Sequence, residues 1–280
     1  MLETWQHLPE KLNPIAFSAG SVQVSWYGIM YLVAFAIVYY LVRYRIRTEK
    51  LGILFETVQA FFPWAIVGLL LGARIGDVLI YDWSYFQNHL SQIFLPFDIY
   101  NHWQYIGFYG MSYHGGLIGV ALAFYIFCRV RKISLLEFSD LFAPVVPIAY
   151  TFGRLGNFIN GELYGRVTAK FWGMYFPADF TGQLRHPSQL YEAFFEGIFL
   201  FFIIWIIRKG SWRTGSLTAL YLIGYGTVRF FIEFFREPEI IFKLFSLTLT
   251  TGQWLCLFMV VAGILLLNKR LITKVSKRRA

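Results

Sequence analysis

The sequence predicts an all-α polytopic membrane protein of about seven transmembrane helices, with a small extracytoplasmic portion built from loops. Three observations carry this expectation. Hydrophobic residues make up 57% of the 280 and charged residues only 15%, against about 45–50% and about 25% in soluble domains. Aromatic residues reach 20%, which excludes a disordered chain, because such chains are poor in them. Apolar windows run near residues 22–42, 57–81, 113–128, 138–157, 188–207, 216–236 and 252–267, and several reach the roughly 18 residues that cross a bilayer as helix.

The first window lacks a basic flank before it and is followed by Arg43, Arg45, Arg47 and Lys50. That charge order is the reverse of a secretory signal, so the window is expected to remain as a span. In the second, Gly68, Gly72 and Gly76 recur every four residues, and Gly115 and Gly119 do so in the third. Such stripes let helix backbones approach closely where no hydrophobic effect drives association. The third window is followed by Arg129, Arg131 and Lys132. The fourth ends in a Gly-rich run beginning at Gly153. The fifth opens after Pro187, a residue suited to a helix start, and is followed by Arg208, Lys209 and Arg213. The seventh leads into a tail with Lys269, Arg270, Lys274, Lys277, Arg278 and Arg279.

Sixteen basic residues thus fall on one side, against five on the other, Lys11, Arg166, Lys170, Arg185 and Lys243. By the positive-inside rule the C-terminus is cytoplasmic and the N-terminus outside. The chain is expected to form one integral-membrane domain over 1–280, with 82–112 and 158–187 as extracytoplasmic loop regions. The net charge of +9 is then a topology signal and not the footprint of a nucleic-acid partner. Segment 82–112 contains no Lys or Arg but does contain Trp83, Tyr85, Phe86, Tyr100, Trp103, Tyr105, Phe108 and Tyr109, which suits a membrane interface. Cys128 and Cys256 stand alone in apolar windows, so both are expected to be packing residues, and no metal site is predicted.

Charged groups inside spans cost at least about 2.5–3.5 kcal/mol each at mid-bilayer, so they face a cavity or a partner. With this topology the outer span ends hold Trp26 and Tyr27, Arg74 and Asp77, His114, Arg154 and Asn157, His186 and Gln189, and Arg229, Glu233 and Arg236. One outward-facing polar chamber accounts for them together. Tyr225, Arg229, Glu233 and Arg236 are spaced to form one helical stripe. Two arginines for one carboxylate leave a surplus guanidinium, which suits a phosphate ester. The run Gly153-Arg154-Leu155-Gly156-Asn157-Phe158-Ile159-Asn160-Gly161-Glu162 is expected to break the helix and expose amides able to bind anions. His114, followed by Gly115 and Gly116, is a candidate general base, since imidazole exchanges a proton near neutral pH.

The pattern G-R-x-G-N-F-x-N-x-E-x-x-G at 153–165 resembles, without a departure, the signature of the prolipoprotein diacylglyceryl transferase family. His114-Gly115-Gly116, the R-H-P-S-Q-L-Y-E run from Arg185 and the Tyr225 to Arg236 stripe resemble the same family, and the likeness covers nearly the whole chain. The resemblance implies a seven-span enzyme of the bacterial inner membrane, with its active site toward the outer side. It would move the diacylglyceryl group of phosphatidylglycerol onto the lipobox cysteine of a prolipoprotein signal peptide, releasing glycerol-1-phosphate. Carried over by position, Arg154 and Arg229 hold the phosphoglycerol head group, and Asn157, Glu162, Glu233, Tyr27 and Arg236 line the site. His114 and Tyr225 are implied as catalytic. No cofactor is expected, nor any partner beyond the lipid, the precursor and the bilayer, and the chain is expected to act as a monomer. A transporter for an anionic solute would need polar groups through to the cytoplasmic end, whereas Val33 to Tyr40 and Ile198 to Ile204 are apolar. A purely structural scaffold would leave the outer charges unexplained.

Overall fold

The structure, a computed structural model, describes residues 2–19, 22–49, 51–93, 95, 97–98, 104–105, 112–238, 241–244 and 247–268. Tyr100, Trp103, Phe108 and Tyr109 of the aromatic loop, and the basic tail from Lys269 onward, lie outside the described residues. The principal helices are α1 (Trp26–Glu49), α2 (Phe55–Ile80), α3 (Tyr113–Val130), α4 (Leu135–Phe142), α5 (Val146–Ile159), α6 (Ser188–Ile207), α7 (Ser216–Ile232) and α8 (Thr251–Leu267). Among the described residues, α1, α2 and α6 are long and apolar enough to cross a membrane, and the α4–α5 pair makes a fourth if it is taken as one span bent by 55°. The other three are shorter apolar helices. The bend has a local cause. Pro144 follows the end of α4, where the residue before a proline disfavours helix, and Pro147 sits in the first turn of α5, where it is tolerated.

The chain forms two compact units, Met1–Lys50 with Ser139–Ala280, and Leu51–Phe138. In the second unit the glycine stripes of α2 and α3 meet each other. A Cβ on Gly68 would lie 2.6 Å from the Gly119 carbonyl oxygen, and one on Gly76 would lie 2.6 Å from the Gly115 Cα. Ser112 caps α3 by accepting from the Gly115 amide at 3.1 Å. Arg74 donates to the carbonyls of Ile93 at 2.9 Å and Gln92 at 2.6 Å, and its guanidinium lies 4.7 Å from the Phe86 ring. Arg74 therefore completes the turn that follows α2 within its own unit.

In the first unit, small residues again set the approach of helices. A Cβ on Gly226 of α7 would lie 2.9 Å from the Cys256 carbonyl of α8. Residues 160–187 build a small lobe beyond the end of α5, around buried Phe158, Met174 and Phe176 with Leu8, Leu12, Tyr164 and Leu190 packed on it. The N-terminal segment docks there through Trp5 Nε1 to the Trp172 carbonyl at 3.0 Å and Gln6 Nε2 to the Phe171 carbonyl at 3.1 Å. Buried Arg185 ties the lobe together, bonding Asp179 at 2.6 Å and Glu237 at 3.0 Å. The Arg185 guanidinium holds the Asp179 carboxyl down at about 2.

Candidate functional site

Three helices of the first unit bring their polar residues onto one fully buried carboxylate, that of Glu192 in α6. It accepts from Arg229 Nη1 of α7 at 2.7 Å and from Arg236 Nη1 at 3.1 Å, and Arg154 Nε of α5 pairs with it in charge at 2.8 Å. Tyr150 Oη donates to it at 2.9 Å. A carboxylate removed from water is tolerated only when its charge and lone pairs are matched, and three guanidinium groups match this one. Residues Glu192–Phe199 take π-helical geometry within α6, a distortion frequent at functional sites. Glu196, also fully buried, lies one turn on and meets Arg229 Nη1 at 3.4 Å.

Glu233 forms the other wall. Its Oε2 lies 3.2 Å from Arg229 Nη2 and 3.6 Å from Arg236 Nε, and its Oε1 accepts from the Thr250 hydroxyl at 3.0 Å. Gly252 makes room for this carboxylate, since a Cβ there would stand 2.7 Å from Oε1. The cluster thus holds three arginines with Glu192, Glu196 and Glu233. The reading of one carboxylate for two arginines is corrected, because α6 supplies two acids that the stripe on α7 does not reveal. The stripe itself is also revised. α7 ends at Ile232, Glu233 is its C-cap, and Arg236 reaches the cluster from the turn beyond.

Arg154 leads into a second chain of contacts. Its Nη1 donates to Asn157 Oδ1 at 3.3 Å, and Asn157 Nδ2 donates to Glu162 Oε1 at 2.8 Å. Tyr27 packs on this helix where Gly156 leaves space, for a Cβ on Gly156 would lie 2.9 Å from the Tyr27 ring. The Tyr27 and Tyr31 hydroxyls share a hydrogen bond of 3.0 Å. Tyr225 stacks on Tyr221 and turns its ring edge-on to Tyr150 at 5.8 Å. The expected break at the glycines is displaced. Gly153 and Gly156 lie inside α5, and the turn comes at Gly161 with a φ of +69°. Amides just beyond close onto α5 itself, Glu162 N donating to the Asn157 carbonyl at 3.1 Å. The last glycine of the pattern, Gly165, is required for close approach, since a Cβ there would meet the Phe235 carbonyl and would lie 2.9 Å from the His186 Cβ.

Arg154, Asn157, Glu162, Tyr27, Tyr225, Arg229, Glu233 and Arg236 are therefore all in one unit and linked by contacts. His114 belongs to the other unit, where it is exposed in the first turn of α3. Sequence reasoning missed Glu192, Glu196 and Tyr150 as members of the site. The signal was present, because two acids four residues apart in a mostly apolar 20-residue helix are costly without partners.

Chemically, the arrangement fixes guanidinium groups before any ligand arrives. The Nη2 groups of Arg154 and Arg236 have no protein acceptor among the described residues. Such donors suit an anion with several oxygens, which arginine binds with a planar fork.

The sequence profile of the prolipoprotein diacylglyceryl transferase family matches residues 14–269. A phosphatidylglycerol–prolipoprotein diacylglyceryl transferase of Chlorobaculum tepidum is 54% identical over 261 residues, covering 93% of this chain and 90% of that protein. The enzyme of the same name from Helicobacter pylori G27 is 42% identical over 286 residues, with 99% and 100% covered. One from Campylobacter jejuni RM1221 is 41% identical over 266 residues, with 94% and 96% covered. The matches run through the N-terminal segment, both units and the arginine-bearing helices, and on this basis the chain belongs to the prolipoprotein diacylglyceryl transferase family.

Proposed function

We propose that this protein transfers the sn-1,2-diacylglyceryl group of phosphatidylglycerol to the thiol of a prolipoprotein lipobox cysteine, the first step of lipoprotein maturation. The relatives named above carry that activity in their names, and the buried arginine cluster on Glu192 is the observation that carries the reading here. The thiol loses its proton, and the thiolate attacks the glycerol carbon that bears phosphate. A carbon–sulfur bond forms as the carbon–oxygen bond to phosphate breaks, and the electron pair leaves with sn-glycerol 1-phosphate. Arg154 and Arg229 hold the phosphate and offset the charge growing on its departing oxygen. Asn157, Glu162, Glu233, Tyr27 and Arg236 line the head-group site, and Tyr225 acts with Arg154 and Arg229 as a catalytic residue. His114 takes the thiol proton.

The chain is read as a single catalytic domain of the bacterial inner membrane, a monomer with seven spans, its N-terminus and active site toward the outer side. The seven apolar windows, each overlapping a helix, and the distribution of basic residues support this. The test is incubation of the purified protein with phosphatidylglycerol vesicles and a lipobox peptide. One diacylglyceryl mass is expected on the peptide cysteine; an unmodified peptide under conditions where a relative modifies it overturns the reading.

A further inference from the structure

Tyr150 lies one helical turn before Arg154 on α5, and its hydroxyl stands between two charged groups. It accepts from Arg154 Nε at 2.7 Å and donates to Glu192 Oε2 at 2.9 Å. A phenol suits that position because its oxygen accepts and donates at once. The Tyr150 ring also underlies the guanidinium, with the Arg154 Cζ 4.8 Å from its centroid, a placement in which the cation is attracted to the ring face.

A guanidinium at the end of a long side chain can turn about its last torsions. For Arg154 four contacts oppose this: the Tyr150 hydroxyl and the Glu192 carboxylate at Nε, Asn157 at Nη1 and the ring beneath the plane. Nη2 is left without a protein acceptor among the described residues. We propose that Tyr150 is a positioning residue that aims Arg154, so that its Nη2 edge faces the phosphate of the lipid head group and, after transfer, of the glycerol phosphate product. The proposal rests on the reading of Arg154 as a head-group ligand.

The experiment compares wild type, Tyr150→Phe, Arg154→Lys and the double variant, measuring kcat and KM for phosphatidylglycerol and inhibition by sn-glycerol 1-phosphate. Tyr150→Phe keeps the ring and removes the hydroxyl. It is expected to lower kcat/KM by about 10- to 100-fold, the worth of one hydrogen bond to a charged group, and to weaken product inhibition to a similar extent. In the Arg154→Lys background the same change should cost no more than about twofold, because sites in one network are not additive. Equal losses in both backgrounds, or undiminished product inhibition, overturn the proposal. If Tyr150→Phe folds poorly, Tyr150→Gln, which keeps a donor and an acceptor, should retain more activity than Tyr150→Leu, and equal losses in that pair also overturn it. A wild-type protein that transfers nothing to the peptide instead defeats the functional reading beneath it.

Discussion

Two arginine–carboxylate clusters lie at opposite ends of α6 and α7, and their arginines end on different kinds of acceptor. Near the end of α1, buried Arg45 bonds Glu49 at 2.8 Å through Nη2, and through Nη1 it bonds the carbonyl of Asp140 at 2.8 Å and that of Leu141. Arg208 joins the same Glu49 at 2.8 Å and reaches the Trp205 carbonyl. Asp140 in turn accepts from the amide and hydroxyl of Thr218, both at 2.7 Å, in the first turn of α7. These contacts cover carbonyls and amides that helix ends leave without partners. Around Glu192, by contrast, the arginine contacts run to side chains, and among the described residues none runs to a backbone carbonyl. An arginine that completes the backbone is part of the scaffold. One held only by side chains is oriented while some of its donors remain free for a ligand.

The largest expected effect probes what the Glu192 cluster lacks. Among the described residues its contacts include no imidazole, and the proposed proton acceptor is His114. His114→Gln keeps hydrogen bonding but cannot exchange a proton, and is expected to lose roughly 10²–10⁴ in transfer rate. An ordinary thiol titrates near about 8.5, so alkali supplies thiolate without a base, and the deficit should shrink between about pH 7 and pH 9. A wild-type to variant ratio that stays constant across that range would assign the proton elsewhere.

Within the cluster, Arg154→Lys and Arg229→Lys keep the charge and lose the planar fork. Each is expected to reduce transfer by about 10²–10³, the usual cost of losing one preorganised donor to developing charge, with the yield of folded protein little changed. Near-normal turnover in both would show that positive potential alone suffices, and the contrast with the Arg45 cluster would lose its functional meaning.

Arg45→Ala should behave in the opposite manner. It strips a partner from buried Glu49 and uncovers two helix-end carbonyls, so about 3–5 kcal/mol of stability should be lost. Thermal unfolding in detergent measures this, while the rate per folded molecule should stay at the wild-type value. A selective rate loss without a shift in Tm would move Arg45 into the machinery.

The smallest effect concerns the lobe. Asp179 titrates at about 2 in the folded protein because Arg185 is bonded to it, against about 3.9 for an unconstrained aspartate. Its stabilisation is present above the ordinary carboxylate range and is lost as pH falls through about 2. The stability gap between wild type and Asp179→Asn should therefore narrow between about pH 4 and pH 2. A gap that does not change with pH would mean that the ion pair contributes nothing.

The helices were legible because apolar residues in a bilayer-length window dictate their own burial, whatever surrounds them. The glycine stripes of α2 and α3 were equally legible, since spacing by four places residues on one face. The acids of α6 were not assigned to the site, although their sequence context flagged them. Glu192 reads as the end of the R-H-P-S-Q-L-Y-E run, and nothing along the chain shows that residues 154, 229 and 236 converge on it. The glycine run was misplaced for a related reason. Gly156 is small to admit Tyr27, 129 positions earlier in sequence, and not to break α5.

Sequence alone determined the helical membrane class and the family signature at 153–165, and its basic residues set an expectation of sidedness. Those depend on composition, periodicity and local order, which are properties of one segment at a time. Tertiary structure decided which carboxylate each arginine meets, that Arg74 and Arg45 close backbone turns, and that Tyr150 lies under Arg154 and touches Glu192. The physical reason is that a buried charge is stable only beside its counter-charge, and the position of that counter-charge is set by how separate helices pack.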